Sequence, residues 1–147
     1  MFRVGIESRK HSSIMSKSLA VAADVTALYD VNYASAHDKL NACSINKGIG
    51  LERYTGSRGK SGSSEVSAEL LGYIRENTDT NLFQIVELGE VEVGGGGTTA
   101  KFLAQQLNCD VVDLGAGVMN MHSPFEITGV ADLWAGIVLY QQLLERK

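Results

Sequence analysis

Two residues stand where an α/β enzyme would place a metal ligand. Asp24 ends the apolar run SLAVAADV, and His122 lies in the apolar stretch VMNMHSP that follows CDVVDLG. Carboxylate oxygen and imidazole nitrogen both suit zinc, so an aspartate and a histidine at strand ends are a legitimate ligand pair, though two ligands do not make a zinc site. Each also has a plainer use: a strand-end carboxylate caps or pairs, and a lone histidine in an apolar stretch is commonly a hydrogen-bonded structural residue. His11 and His37 lie in polar stretches and read as exposed. Four consecutive glycines at 94–97 lead into TTAKFLAQQLN, where free amides and a helix dipole would converge on a carboxylate or other anion. A turn that needs positive φ is the competing explanation, and the GxGxxG spacing of a dinucleotide fingerprint is missing. GSRGKSG suggests a phosphate loop, but the glycine required five residues before Gly59 is Tyr54, which would obstruct the backbone wrap. It reads as a turn. Glu87, Glu90 and Glu92 lie in a run where the last two alternate with valine, the pattern of a solvated strand face.

The elements that must position these residues follow from periodicity. SLAVAADV fits a strand covered on both faces, and the polar segment 29–48 reads as one long loop. IGLERY at 49–54 is a short strand. A helix follows with Val66, Leu70, Leu71 and Ile74 on its apolar side, capped by Ser61 or Ser63 and ending within 77–81. FQIVELGEVEV at 83–93 reads as a strand. The next helix is capped by Thr98 or Thr99, turns Phe102, Leu103 and Leu107 inward, and stops at Asn108. CDVVDLG is a buried strand, and Pro124 marks the entrance of a last helix striped by Ile127, Val130, Trp134, Ile137 and Val138. Strands alternating with capped helices predict an α/β layered domain, helices on a mostly parallel or mixed sheet. Ligands then gather outside the strand ends, an edge that Asp24 and the His122 loop could share.

Composition removes several classes. The 147 residues are 44% hydrophobic, enough for a real core in a domain of this size. Thirteen basic against seventeen acidic side chains give a net charge of −4, which argues against a nucleic-acid binder. No apolar run reaches membrane-spanning length, and the first twenty residues lack the continuous apolar stretch of a secretory signal. Cys43 and Cys109 have no metal-type spacing and read as buried thiols in a reducing compartment. A soluble cytoplasmic protein is the expectation.

The landmarks together resemble the C-terminal half of the aspartyl aminopeptidase and vacuolar aminopeptidase I family of zinc exopeptidases. The matching blocks are AADVTALYDVNY, Lys47-Gly48 followed by YTGSRGKSG, ELGEVEVGGGGTTAKFLA, and DVVDLGAGVMNMHSPFEIT with its trailing ADLW helix, in the family's order from about Ser18 onward. The resemblance implies a two-zinc peptidase that removes N-terminal residues from peptides. It makes Asp24 and His122 metal ligands and places the turn holding Gly96, Gly97 and Thr98 beside the substrate. The family's first zinc histidine, bridging aspartate and Glu-Glu pair lie upstream of the counterpart of Asp24, and 1–17 here contains neither Glu-Glu nor His-x-Asp. Residues 1–147 thus read as the C-terminal portion of a catalytic domain without its general base, inactive alone. A lysine that recognises acidic side chains in some relatives falls near Glu52, and many relatives have histidine at Ala27. The implied partners are a peptide, and further copies of the chain or a missing N-terminal half, with no nucleic acid or membrane. The rival readings are a non-catalytic subunit that completes a site with a partner chain and, after it, a nucleotide-binding module built on GSRGKSG and GGGG.

Overall fold

The computed structural model describes residues 8–55, 64–89, 97 and 99–145. After helix α1 (Ser8–Met15), strand β1 (Leu19–Ala22) pairs parallel with β6 (Asp110–Gly115), which runs antiparallel to β3 (Ile49–Thr55). β3 also takes β5 (Phe83–Glu87) in parallel and the short β4 (Ser64–Glu65) in antiparallel, giving a mixed sheet of five strands among the described residues. Helices α2 (Ala68–Asn77), α3 (Ala100–Leu107) and α4 (Val130–Leu144) occur between and after these strands. A second sheet is small: β2 (Thr26–Ala27), β7 (Gly117–Met119) and β8 (Ile127–Thr128), with β7 in the middle. This is the expected α/β layered architecture.

Side chains alternate across the main sheet, so its two faces differ in kind. Ile49, Leu51, Val112 and Leu114 point to one face and form a single core with Leu70 and Ile74 of α2 and Ala135 and Leu139 of α4. Gly50, Glu52, Asp113 and Gly115 belong to the other face. There Val86 packs with Leu28, Cys43 and the partly buried Met119, closing the second layer. Both cysteines are free and buried.

Several local expectations are corrected. Among the described residues β1 is an edge strand, with Leu19 and Val21 exposed, so its small apolar residues did not signal cover on both faces. The helix expected from Ser61 or Ser63 starts at Ala68, capped by Ser67, whose hydroxyl accepts the Leu70 N–H at 3.2 Å; Ser61 and Ser63 lie outside the described residues. Val66 precedes that helix but joins the core, a common arrangement beside a cap. β5 ends at Glu87, and the continuation at 90–93 lies outside the described residues. α3 stops at Asn108 as expected, with φ 52° in the left-handed region. Its buried residue is Ala100; Phe102 is exposed, while Leu103 and Leu107 of the expected apolar side are half-buried. Thr99 makes no side-chain capping bond.

The loop 29–48 contains a 3-10 turn, Val31–Ala36, capped by Asp30, whose carboxylate accepts the Asn32 N–H at 2.8 Å. It brings His37 back against Tyr29, ring centroids 5.6 Å apart, so His37 is half-buried rather than exposed; His11 is exposed. Pro124 belongs to a turn before β8, and α4 begins only at Val130. Its buried positions are Asp132, Ala135, Gly136 and Leu139, while Val130 (81%), Trp134 (63%) and Ile137 (60%) face outward. A helix apolar nearly all round does not announce which side turns inward: of the stripe read from the sequence Val138 packs against the core, while Val130, Trp134 and Ile137 lie outward. Among the described residues no helix is long and apolar enough to cross a membrane.

Candidate active site

The chain leaves β1 at Ala22 and crosses directly onto the polar face of the sheet. Gly50 and Gly115 sit opposite each other on β3 and β6. A Cβ on Gly115 would come 1.8 Å from the Asp24 carbonyl oxygen, and one on Gly50 would come 2.6 Å from Thr26 Cγ2. Two glycines side by side thus open the slot in which 24–26 lies. Asp24 is exposed, and its Oδ1 accepts the N–H of Val25 at 2.9 Å. Its backbone therefore lies at the carboxyl ends of β1 and β6, the edge at which ligands of open sheets gather.

Beneath that crossing lies a buried acidic group that sequence reasoning did not single out as a site. Glu52 is 3% exposed and pairs in register with Asp113, also buried, beside a buried Thr26. Burial is the main cause that pushes the Glu52 carboxyl up to about 8; the neighbouring Thr26 hydroxyl pulls the other way, and the charges of Asp113 and Asp24 push further up. Neither Glu52 oxygen nor Thr26 Oγ1 closes a hydrogen bond of good geometry, so the hydroxyl's help is partial. The available signal was an acid inside each of two apolar strand patterns, IGLERY and CDVVDLG.

The linkage has a definite sign. Between the ordinary carboxyl value of 4.5 and about 8, Glu52 holds its proton in the folded chain and loses it in the unfolded one. Stability is therefore expected to fall as pH rises through that window, by at most about 1.4 kcal/mol per pH unit for one proton, and to level off above it. Urea unfolding from pH 5 to 8 measures this. Glu52→Gln should flatten the slope, and an unchanged slope in that variant would remove Glu52 as its source.

His122 follows β7 in a tight turn. Its φ is +67°, uncommon for a residue with a side chain, and its backbone N–H donates to Glu126 Oε1 at 2.7 Å. The Ser123 hydroxyl closes the same turn onto the Phe125 carbonyl at 2.8 Å. The NMHSPFE block is thus a self-bonded loop that holds an exposed imidazole at its tip. Asp24 stands before β2 and His122 after β7, the strands that pair in parallel at Thr26 and Gly117. Of the glycine turn, Gly97 is exposed with nothing within 4 Å of where a Cβ would lie, and Gly96 and Thr98 lie outside the described residues, as does GSRGKSG.

The donor chemistry of Asp24 and His122 suits zinc, but the described residues contain no group of three metal-binding side chains. A zinc centre that activates water takes three protein ligands, so the described part of this chain offers at most an incomplete set.

The fold is a mixed-sheet α/β unit with a glycine-floored crossing and a histidine-tipped loop. An M18 family aminopeptidase from Thermotoga maritima, solved by crystallography, superposes with a TM-score of 0.85 at 35% identity, over 95% of this chain and 32% of that one. The S. cerevisiae mApe1 dodecamer gives 0.70 at 25% identity, over 92% and 28%. In sequence, a probable M18 family aminopeptidase 1 of Borreliella burgdorferi is 43% identical over 126 residues, 84% of this chain and 27% of that protein. Residues 2–144 match the family described as aminopeptidase I zinc metalloprotease (M18), and the chain belongs to that family. It spans roughly 30% of the length of the curated relatives it matches.

Proposed function

We propose that this chain supplies the C-terminal part of a zinc aminopeptidase that releases N-terminal residues from peptides. Asp24 and His122 are two of its metal ligands, and Gly96, Gly97 and Thr98 line the substrate. The observation that carries this reading is the family match over 2–144, with Asp24 lying at the carboxyl ends of β1 and β6 as a ligand site requires. The sequence holds no Glu-Glu pair to provide base and ligand together. Without a base, water bound to a partial metal set is not activated, so the chain alone has little or no turnover. The large apolar residues exposed along α4 favour a second form of the same idea, a subunit whose site is completed by an associated chain.

Zinc loading, desalting and native mass spectrometry test the proposal. At most one loosely held zinc per chain is expected, abolished in His122→Ala, with hydrolysis of leucine p-nitroanilide at background. Two tightly held zinc ions per isolated chain with steady turnover would show a complete site and defeat the fragment reading. Zinc retained undiminished in His122→Ala would remove that histidine as a ligand.

A further inference from the structure

One carboxylate closes the hairpin that carries His122. β7 and β8 pair antiparallel, Val118 opposite Thr128 and Met119 opposite Ile127, and the Thr128 hydroxyl donates to the Gly117 carbonyl at 2.8 Å. Residues 120–126 therefore leave and return at two fixed feet. Among them Asn120 and His122 both take positive φ, 55° and 67°. Side chains disfavour that region, so the loop keeps its shape only where its surroundings hold it.

Glu126, the residue just before β8, supplies the hold on His122: its Oε1 accepts the His122 N–H at 2.7 Å. An ionised acceptor makes such a bond about twice as strong as a neutral one. The Ser123 N–H donates to the Asn120 carbonyl at 2.9 Å and the Ser123 hydroxyl to the Phe125 carbonyl at 2.8 Å, but neither bond involves His122. Among the described residues no lysine or arginine pairs with Glu126, so no cation among them competes for its carboxylate. The backbone of His122 sets where its imidazole points, because the Cα–Cβ bond turns with φ. Without the Glu126 bond φ is freer, and the ring samples several directions. A ligand that must be ordered at the moment of binding holds a metal less tightly.

We propose that Glu126 is a positioning residue for His122: its carboxylate fixes the backbone that directs the imidazole and so sets the zinc affinity of this ligand position. This rests on the aminopeptidase reading, in which His122 is a ligand; Glu126 acts through the main chain and does not touch the ion. The experiment uses the full chain as parent, Glu126→Ala, Glu126→Gln and His122→Ala. Zinc affinity is read by competition with a chromophoric chelator, and the His122 amide proton by NMR. Glu126→Ala should weaken zinc binding at least about tenfold. It should also move the His122 amide upfield and speed its exchange, while the resonances of α4 stay in place. Glu126→Gln keeps an oxygen at the same reach and should recover the affinity to within about threefold of the parent. Glu126→Gln as weak as Glu126→Ala would make the carboxylate charge itself the active feature and overturn the positioning role. The two readings fail separately. Glu126→Ala matching the parent, where His122→Ala does not, removes the positioning role alone. Parent and His122→Ala holding zinc alike removes His122 as a ligand, and the role of Glu126 with it.

Discussion

Gly115→Ala is expected to lower stability by about 3 kcal/mol, a fall in melting temperature of roughly 10 °C for a chain of this length. The added methyl would meet the Asp24 carbonyl oxygen at 1.8 Å and its carbonyl carbon at 2.7 Å. Backbone has no rotamer to retreat into, so either 24–26 lifts off the sheet or β6 shifts against β1 and β3. Both responses disturb buried polar residues, because Thr26 belongs to the crossing and Glu52 and Asp113 lie under it. The control is Gly72→Ala on α2, where nothing lies within 4 Å of the new atom. That change should stabilise by about 0.5–1 kcal/mol through helix propensity alone. Thermal unfolding of the two variants side by side decides the matter. A Gly115→Ala chain that melts with the parent would mean that Asp24 does not lie on β6.

Asp132→Ala should cost about 3 kcal/mol, by a different mechanism. Asp132 is almost fully buried, and its two oxygens accept the N–H of Asn46 at 2.8 Å and of Gly48 at 2.9 Å. It also sits in the first turn of α4, where a negative charge is favoured by the helix dipole. One side chain thus fixes the entry to β3 onto the start of the last helix. Alanine leaves two amides without acceptors in the interior. An asparagine side chain in place of the acid keeps one acceptor but turns an NH2 toward an N–H, so Asp132→Asn should lose about 1–3 kcal/mol. Urea midpoints measure both variants, and hydrogen exchange at the Gly48 amide should accelerate more in the alanine variant. Exchange at Gly48 that stays as slow as in the parent would contradict this tie.

The parts legible from the sequence were those in which local chemistry had a single outlet. IGLERY and CDVVDLG became β3 and β6 because each is a short apolar run bounded by turn residues, and Asn108 ended α3 because asparagine tolerates the left-handed region. The parts misread were those decided by a partner far along the chain. Ser61, Ser63 and Ser67 are all capable caps, and only the docking of Leu70 and Ile74 into the core picks Ser67. The outward stripe of α4 could not be separated from its inward side while both were apolar. His37 looked exposed among polar neighbours until the 3-10 turn brought it to Tyr29. At the site, Asp24 and His122 were legible as residue types at strand ends. Glu52 and Thr26 were not, because their proximity depends on two glycines in strands remote from the crossing.

The edge strand carries a consequence for how the chain is made. β1 emerges from the ribosome well before its neighbour in the sheet, β6, whose Asp110 pairs with Leu19. At roughly 5–20 residues per second of synthesis, β1 waits on the order of ten seconds for the strand it needs. During that interval Leu19 and Val21, which stay exposed even after folding, present an unpaired strand to every neighbouring nascent chain. Yield of folded protein should therefore depend on the crowding of ribosomes on the message, and dilute, slow expression favours the native pairing.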